Sequence, residues 1–131
     1  MGLSSRIAEA LEPEVMCPAV GQGALAIETR YDGGATQEIA RRLNHRETEV
    51  AVTAERALLG TLGGGCQVPI GGHAILRDGQ VYLRAIVASP DGARVIRGEL
   101  SGADPAAVGT ELGERLLSQG AREILREVYA A

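Results

Sequence analysis

Cys66 follows three consecutive glycines, Gly63 to Gly65, and precedes the sequence Gln-Val-Pro-Ile-Gly-Gly. A thiolate is a strong nucleophile, and its soft sulfur forms stable thioethers with electrophilic carbon. A glycine triplet costs chain entropy and adds no packing, so it suggests a loop that bends sharply or moves with an attached group. Two interpretations of Cys66 follow: an inert loop residue, since no motif guarantees a thiolate, or an anchor for an organic group.

Other arrangements of the thiols and imidazoles have weaker support. A cysteine hydrolase needs a base to take the thiol proton, but no motif assigns that role to His73, which lies on a predicted strand. Cys17, His45, Cys66 and His73 lack the C-x-x-C or H-x-x-x-H spacing that holds zinc ligands on one local element. We therefore predict no metal site, and we expect free thiols because two cysteines do not make a disulfide-rich scaffold.

Residues Gly21 to Ala26 match the G-x-G-x-x-A pattern of dinucleotide-binding turns. That pattern requires a preceding strand and a following helix whose N-terminus holds the pyrophosphate. Here the order is inverted, because residues 13–18 contain prolines at both ends and residues 24–28 alternate like a strand. The glycines are thus typical of a turn or of a close backbone approach, and a nucleotide site is disfavoured.

Charged residues outside these motifs are interpreted as solvated, with two alternatives left open. The solvated interpretation covers Glu28, Arg30, Glu55 and Arg56, and the alternative for Glu28 and Arg30 is a role as site charges. The arginines at 41, 42 and 46, near the end of a predicted helix, either are solvated in the same way or bind an anion.

The first 43 residues are predicted to hold short elements separated by loops. Ser4 to Leu11 forms one or two helical turns that Pro13 ends. Ala24 to Glu28 forms a strand with Leu25 and Ile27 on one side. Thr36 to Leu43 forms a short helix, and a boundary between two units follows near Asn44.

Residues 44–131 are predicted to form an α+β domain. Asn44 and Glu47 have the spacing of a capping box, and apolar residues at intervals of three and four continue that helix to Leu62. Asp-Gly turns favour an antiparallel meander of three strands, which are His73 to Leu76, Val81 to Ala88 and Arg94 to Leu100. Asp104, followed by proline, begins a helix that runs to Gly120, and a last turn or two follows. The fold class is therefore α+β, with a small antiparallel three-stranded sheet and helices on one face.

Length, charge and hydropathy restrict the class of protein. The chain has 131 residues, of which 45% are hydrophobic, enough for one core or for a small domain plus part of another. Its net charge of -4 lacks the basic footprint of nucleic-acid binding. Apolar runs are too short for a membrane span, and the first residues do not have the order of a signal peptide. We expect a cytoplasmic protein without nucleic-acid or membrane partners.

Several motifs, in this order, resemble porphobilinogen deaminase, also called hydroxymethylbilane synthase. They are Pro18 to Glu28, Leu43 to His45, Thr53 to Arg56, Gly64 to Gly71, Pro90 to Gly92, and Gly120 with Ala121. The resemblance covers nearly all of the chain, and it is to the C-terminal part of the family's sequences only. It implies a transferase of tetrapyrrole, porphyrin and heme biosynthesis that joins porphobilinogen units with loss of ammonia and releases hydroxymethylbilane.

The resemblance also implies a cofactor and the residues that bind it. The family's dipyrromethane cofactor is attached to one cysteine through a thioether, and Cys66 matches that cysteine. Gln22 and Gly23 match positions that line the cleft near the growing pyrrole chain. Gly64 and Gly65 would let the anchor shift as the chain lengthens. The implied partners are porphobilinogen and the growing pyrrole chain.

The same resemblance implies that parts of the enzyme lie outside this chain. Residues 1–43 match the end of the second domain and the return segment of the first, both α/β, and residues 44–131 match the cofactor-attachment domain. The family's catalytic aspartate and most of its substrate-binding arginines and lysines match nothing here, so no catalytic residue is assigned. We expect the isolated chain to be inactive, with its cofactor absent unless N-terminal domains are supplied in cis or in trans. We also expect self-association through the unpaired apolar surface of residues 1–43.

Two other functions stay open at this stage. A non-enzymatic binding or regulatory module derived from the same domain would retain the same motifs. A cysteine hydrolase would need a base beside Cys66.

Overall fold

Helices and strands are concentrated in the second part of the chain. The computed structural model describes residues 2–65 and 68–130 of the whole chain. The helices are α1 (Ala35–Arg42), α2 (Arg46–Thr61), α3 (Pro105–Leu116) and α4 (Arg122–Ala130), and the strands are β1 (Ile70–Arg77), β2 (Gln80–Ala88) and β3 (Val95–Gly102). A 3-10 turn, Ser4–Arg6, precedes α1, and a π-helical turn, Leu117–Ala121, joins α3 to α4. Across the described residues, none of the helices is both long enough and apolar enough to cross a bilayer.

The three strands form one antiparallel sheet in the order β1-β2-β3. Asp78 and Gly79, with φ of 52° and 74°, make the tight turn between β1 and β2, the left-handed backbone for which an Asp-Gly pair is suited. Gly92, with φ of 72°, lies in the turn between β2 and β3. The predicted antiparallel meander is confirmed, although β1 begins at Ile70 and is longer than the prediction.

The core lies between one face of this sheet and helices α2 and α3. Ala74 is paired with Leu83, and Leu83 with Leu100, so these side chains share one face of the sheet. Leu58 of α2 and Leu112 of α3 are completely buried in the same apolar cluster. The predicted α+β class, with helices covering one face of a small sheet, is confirmed.

Several predicted helix limits are confirmed. The helix expected over residues 36–43 is α1. Asp104 caps α3, since its Oδ1 accepts hydrogen bonds from the backbone N–H groups of Ala106 and Ala107 at 2.9 and 3.0 Å. Gly120 has φ of 109° and interrupts the helical run before α4.

Two expected elements near the N-terminus are wrong. Only the 3-10 turn forms where a helix over residues 4–11 was expected, because so short an amphipathic piece has no packed surface to stabilise it. Residues 24–28 form no strand, and Leu25 is 97% exposed. Alternating polarity stabilises a strand only when a sheet edge is available to pair with it.

The predicted capping box at the start of α2 is also wrong. The N-cap is His45, whose Nδ1 accepts a hydrogen bond from the Thr48 backbone N–H at 3.4 Å. The Asn44 side chain instead donates to the Glu49 carboxylate at 2.7 Å. The helix therefore begins one residue later than the Asn44 cap requires. The boundary between units near this position stays a prediction.

Candidate functional site

Helix α2 ends in a backbone motif that explains the first residue of the glycine triplet. Gly63 has φ of 68°, and its N–H donates to the Gly60 carbonyl at 3.1 Å. The Gly64 N–H donates to the Leu59 carbonyl at 3.0 Å. These two bonds define a Schellman motif, whose left-handed position favours glycine because it lacks Cβ. Gly63 thus ends the helix.

Gly64 and Gly65 differ in their surroundings. A Cβ on Gly64 would lie 2.6 Å from Leu59 Cδ1 and 2.7 Å from Ile70 Cδ1, so the backbone passes directly against the core. Apart from the adjoining residues, no described atom lies within 4 Å of the position that a Cβ on Gly65 would take. With respect to the described residues, the chain is therefore packed at Gly64 and uncrowded at Gly65. Cys66 and Gln67 lie outside the described residues.

The chain is also held on both sides of this loop. The Tyr129 hydroxyl of α4 donates to the Gly63 carbonyl oxygen. The Val68 N–H donates to the Gly65 carbonyl at 3.4 Å, and the Ile70 N–H to the Val68 carbonyl at 2.8 Å as β1 begins. The loop thus joins the end of α2 to the start of β1 over a short span.

Residues Gly21 to Gly23, here called the GQG turn, form two consecutive β-turns. The Gln22 N–H donates to the Ala19 carbonyl at 3.0 Å, and the Ala24 N–H to the Gly21 carbonyl at 3.1 Å. Gly21 and Gly23 have φ of 71° and 87°, in the left-handed region that glycine adopts readily. Gln22 is exposed, and its Oε1 accepts from the Ala19 N–H at 3.0 Å. The dinucleotide interpretation fails here because no helix begins at these glycines.

Two glycines of β1 let the segment before the GQG turn cross the sheet edge closely. The Gly72 N–H donates to the Pro18 carbonyl at 2.9 Å, and Ala19 forms an antiparallel bridge with Gly71. A Cβ on Gly71 would lie 3.1 Å from the Pro18 carbonyl oxygen, and one on Gly72 would lie 3.0 Å from Val20 Cγ2. The Ile-Gly-Gly sequence therefore serves the approach of residues 17–20 to the edge of β1.

Glu55 joins these pieces, and the prediction that it is a surface charge is wrong. Its side chain lies in the middle of α2, and the residue is only 6% exposed. Oε1 accepts a hydrogen bond from the Ala74 N–H of β1, and Oε2 accepts one from the Gly21 N–H, both at 2.7 Å. A signal for burial was present in the sequence, because Glu55 stands four residues after Ala51 and three before Leu58 in the apolar stripe.

The structure thus attaches both predicted cofactor-binding turns to α2 and β1. The GQG turn is bound at the middle of α2, and the loop with Gly64 and Gly65 begins at the end of that helix. Glu55 is six residues from Thr61, so a rise of about 1.5 Å per residue separates the two attachment points by about 9 Å along the helix axis. Both turns are therefore attached to the second half of α2.

The opposite face of the sheet carries a separate polar groove of about 480 Å³. Arg84 in this groove donates through Nε to Glu99 at 2.8 Å and through Nη1 to Glu14. The hydrogen bond from Arg84 holds the pKa of Glu14 below its usual range. The guanidinium is thus occupied by two carboxylates of this chain, and Glu14 ties the N-terminal segment to the sheet.

The other candidate groups have individual outcomes. Cys17 has a free thiol, is partly buried, and has its pKa raised by burial. Within residues 2–65 and 68–130, no three His, Cys, Asp or Glu side chains are grouped so that they could hold a metal ion. Arg41 and Arg42 lie in the last turn of α1 and pair with Glu38 at 3.7 and 4.0 Å. Those two arginines are therefore neutralised in part by a neighbouring carboxylate.

Comparison with known protein families matches two parts of the chain. Residues 1–38 match the family model described as "Porphobilinogen deaminase, dipyromethane cofactor binding domain". Residues 50–118, more than half of the chain, match the model described as "Porphobilinogen deaminase, C-terminal domain". The second match covers α2 from residue 50 onward, the whole sheet and α3, the elements that position Glu55 and the glycine loop. The chain belongs to the porphobilinogen deaminase family.

Proposed function

We propose that this chain supplies the cofactor-carrying C-terminal part of a hydroxymethylbilane synthase, with Cys66 as the thioether attachment residue. The proposal is carried by the loop between α2 and β1, together with the family membership. Gly63 ends the helix, Gly64 is packed against the core, and no described residue beyond its neighbours crowds Gly65. Such an arrangement suits an attached group, because the backbone before the attachment residue is held in place and space is left for the group itself.

The glycine loop and the GQG turn have different proposed roles in binding the cofactor. Cys66 holds the dipyrromethane, and Gly64 and Gly65 set the path of its anchor. Gln22 and Gly23 line the cleft beside the pyrrole chain from the GQG turn. When bound, the dipyrromethane supplies the pyrrole carbon to which porphobilinogen is joined with loss of ammonia. The protein's own contribution in this chain is to hold and orient, and we assign no proton-transfer residue to it.

The proposed reaction needs residues beyond this chain. Each pyrrole ring of the product carries carboxylates, and cationic side chains must neutralise them as the chain grows. This chain has a net charge of -4, and Arg84 is already paired with two of its own carboxylates. We therefore propose that residues 1–43 belong to preceding domains and residues 44–131 to the attachment domain. Activity then requires the N-terminal domains, in cis or in trans, in the cytoplasm.

Residues 1–43 are proposed to bind those domains or, without them, to self-associate. Leu25 and Tyr31 are 97% and 93% exposed, and Ile27 is 59% exposed. Large apolar side chains exposed close together in sequence indicate a contact surface. A dependence of the sedimentation coefficient on concentration would support self-association. A monomer at all concentrations, with residues 18–30 well ordered, would contradict it.

The intact mass of the denatured chain tests the attachment directly. The expected result is an added mass equal to a dipyrromethane, with a positive reaction to Ehrlich's reagent, when the chain is produced together with the N-terminal domains. Cys66→Ala should lose both signals, and the matched variant Cys17→Ala should keep both. An adduct that persists in Cys66→Ala would refute the assignment. A bare Cys66 thiol in the complemented preparation would favour a non-enzymatic module.

A further inference from the structure

The edge of β1 is covered by two different groups at successive positions. In an antiparallel edge strand, alternate N–H groups point toward the open edge, and here these include Gly72 and Ala74. The Gly72 N–H is taken by the Pro18 carbonyl, and the Ala74 N–H by Glu55 Oε1. Residues 18 and 19 therefore pair with the edge of β1 through their main chain, and the next outward-facing N–H, that of Ala74, is bound by the Glu55 carboxylate of α2.

The second oxygen of that carboxylate binds the chain where it leaves the edge. Val20 passes to the helix side of the sheet, where a Cβ on Gly72 would lie 3.0 Å from Val20 Cγ2 and 3.1 Å from Leu58 Cδ2. The next residue, Gly21, donates its N–H to Glu55 Oε2 at 2.7 Å. One buried side chain thus binds α2, β1 and the GQG turn together through two charge-assisted hydrogen bonds.

We propose that Glu55 is a positioning residue, which fixes the GQG turn relative to the attachment domain and thereby the place of Gln22 and Gly23 beside the pyrrole chain. This inference rests on the proposed function of those two residues. The turn has its own internal hydrogen bonds, from Gln22 to Ala19 and from Ala24 to Gly21, so it does not need Glu55 in order to form. It needs Glu55 for its orientation.

The two hydrogen bonds should respond differently when the carboxylate becomes an amide. Glu55→Gln retains one acceptor oxygen, which can serve only one of the two N–H groups. Ala74 is buried and Gly21 is only partly buried, so an unpaired N–H is less costly at Gly21, where water can reach it. The remaining oxygen should therefore stay with Ala74, and the GQG turn should be released.

Amide hydrogen exchange on the 131-residue chain tests this release. In Glu55→Gln, the Gly21 amide should exchange about tenfold faster, while the amides of β2 should keep their wild-type rates within about twofold. The matched control is Glu47→Gln, an exposed glutamate in the first turn of the same helix, which should change neither. Unchanged exchange at Gly21 in a folded Glu55→Gln chain would overturn the proposal.

A measurement on the wild-type chain covers the case in which the variant fails to fold. Nuclear magnetic resonance can detect scalar coupling across a hydrogen bond, here from the amide nitrogens of Gly21 and Ala74 to the Glu55 side-chain carboxyl carbon. Coupling from both nitrogens is expected. Absence of the Gly21 coupling would refute the clamp, whatever the variant does.

A functional measurement separates positioning from simple stability. With the N-terminal domains supplied, Glu55→Gln should load Cys66 as the wild type does but add pyrrole units several-fold more slowly. Loss of loading and elongation together would indicate general destabilisation and count against positioning. Neither exchange nor coupling depends on the cofactor, so a bare Cys66 thiol would refute the proposed function and leave the clamp of Glu55 testable.

Discussion

Gly109 is the residue at which the contact between α2 and α3 leaves no room for a side chain. A Cβ at this position would lie 2.7 Å from Ala57 Cβ and 2.8 Å from the Leu58 backbone nitrogen, and closer still to the Ala54 carbonyl oxygen. Unstrained contacts between such atoms are about 3.5 Å or longer, so Gly109→Ala requires the helices to separate by about 1 Å.

The expected cost follows from which atoms are crowded. Overpacking costs about 1–3 kcal/mol, and the upper end applies because backbone atoms of Ala54 and Leu58 cannot rotate away. Alanine in place of glycine recovers about 1 kcal/mol of helix propensity. We therefore expect Gly109→Ala to lower the free energy of unfolding by about 2 kcal/mol.

Urea unfolding followed by far-ultraviolet circular dichroism measures this change. The matched control is Gly60→Ala on α2, since this glycine is exposed and its added Cβ would meet no described atom within 4 Å apart from its chain neighbours and the nearby backbone of its own helix. The free energy of unfolding of that variant should rise by about 0.5 kcal/mol, from helix propensity alone. If Gly109→Ala proved as stable as Gly60→Ala, the close helix contact inferred from the structure would be refuted.

Two further predictions concern ionisation. The pKa of Glu14 is lowered by its hydrogen bond with Arg84, so this contact stabilises the folded chain above the ordinary carboxyl pKa and is lost as the pH falls through the lowered value. A carbon-13 titration should show the low pKa in the wild type and a normal one in Arg84→Gln; a normal value in both would contradict the pairing. Burial raises the pKa of the Cys17 thiol, so at pH 8 iodoacetamide should alkylate it more slowly in the folded chain than in urea. Equal rates by mass spectrometry would show that the thiol is not protected.

Local signals in the sequence predicted most of the structure of residues 44–131 correctly. Asp78-Gly79 suits only a tight turn with left-handed backbone, and Asp104 followed by proline is a complete helix start within three residues. Such signals need no distant partner, because the hydrogen bonds involved lie within the turn or the helix end. The strand order and the class of fold followed from them.

Other predictions failed for two reasons. Two neighbouring residues could cap the same helix about equally well, and a predicted strand had no sheet edge with which to pair. Asn44 and His45 can each cap α2, and only the pairing of Asn44 with Glu49 decides in favour of His45. Leu25 lies in an alternating pattern typical of a strand, yet the alternation supplies no edge with which to pair. The hydrophobic pattern of a segment indicates which side chains it can bury, but not whether the rest of the protein offers a surface against which to bury them.

Residue types and short spacings were enough to predict the family and the layer of helices on a three-stranded sheet, and they show Cys66 directly after a glycine triplet. These depend on residue type and short spacing, which remain visible in one dimension. The binding of Glu55 to the N–H groups of both Gly21 and Ala74 could not be predicted from the sequence and emerged only from the folded structure. A buried carboxylate is tolerated where distant backbone donors satisfy it, and the meeting of those donors is a property of the folded chain alone.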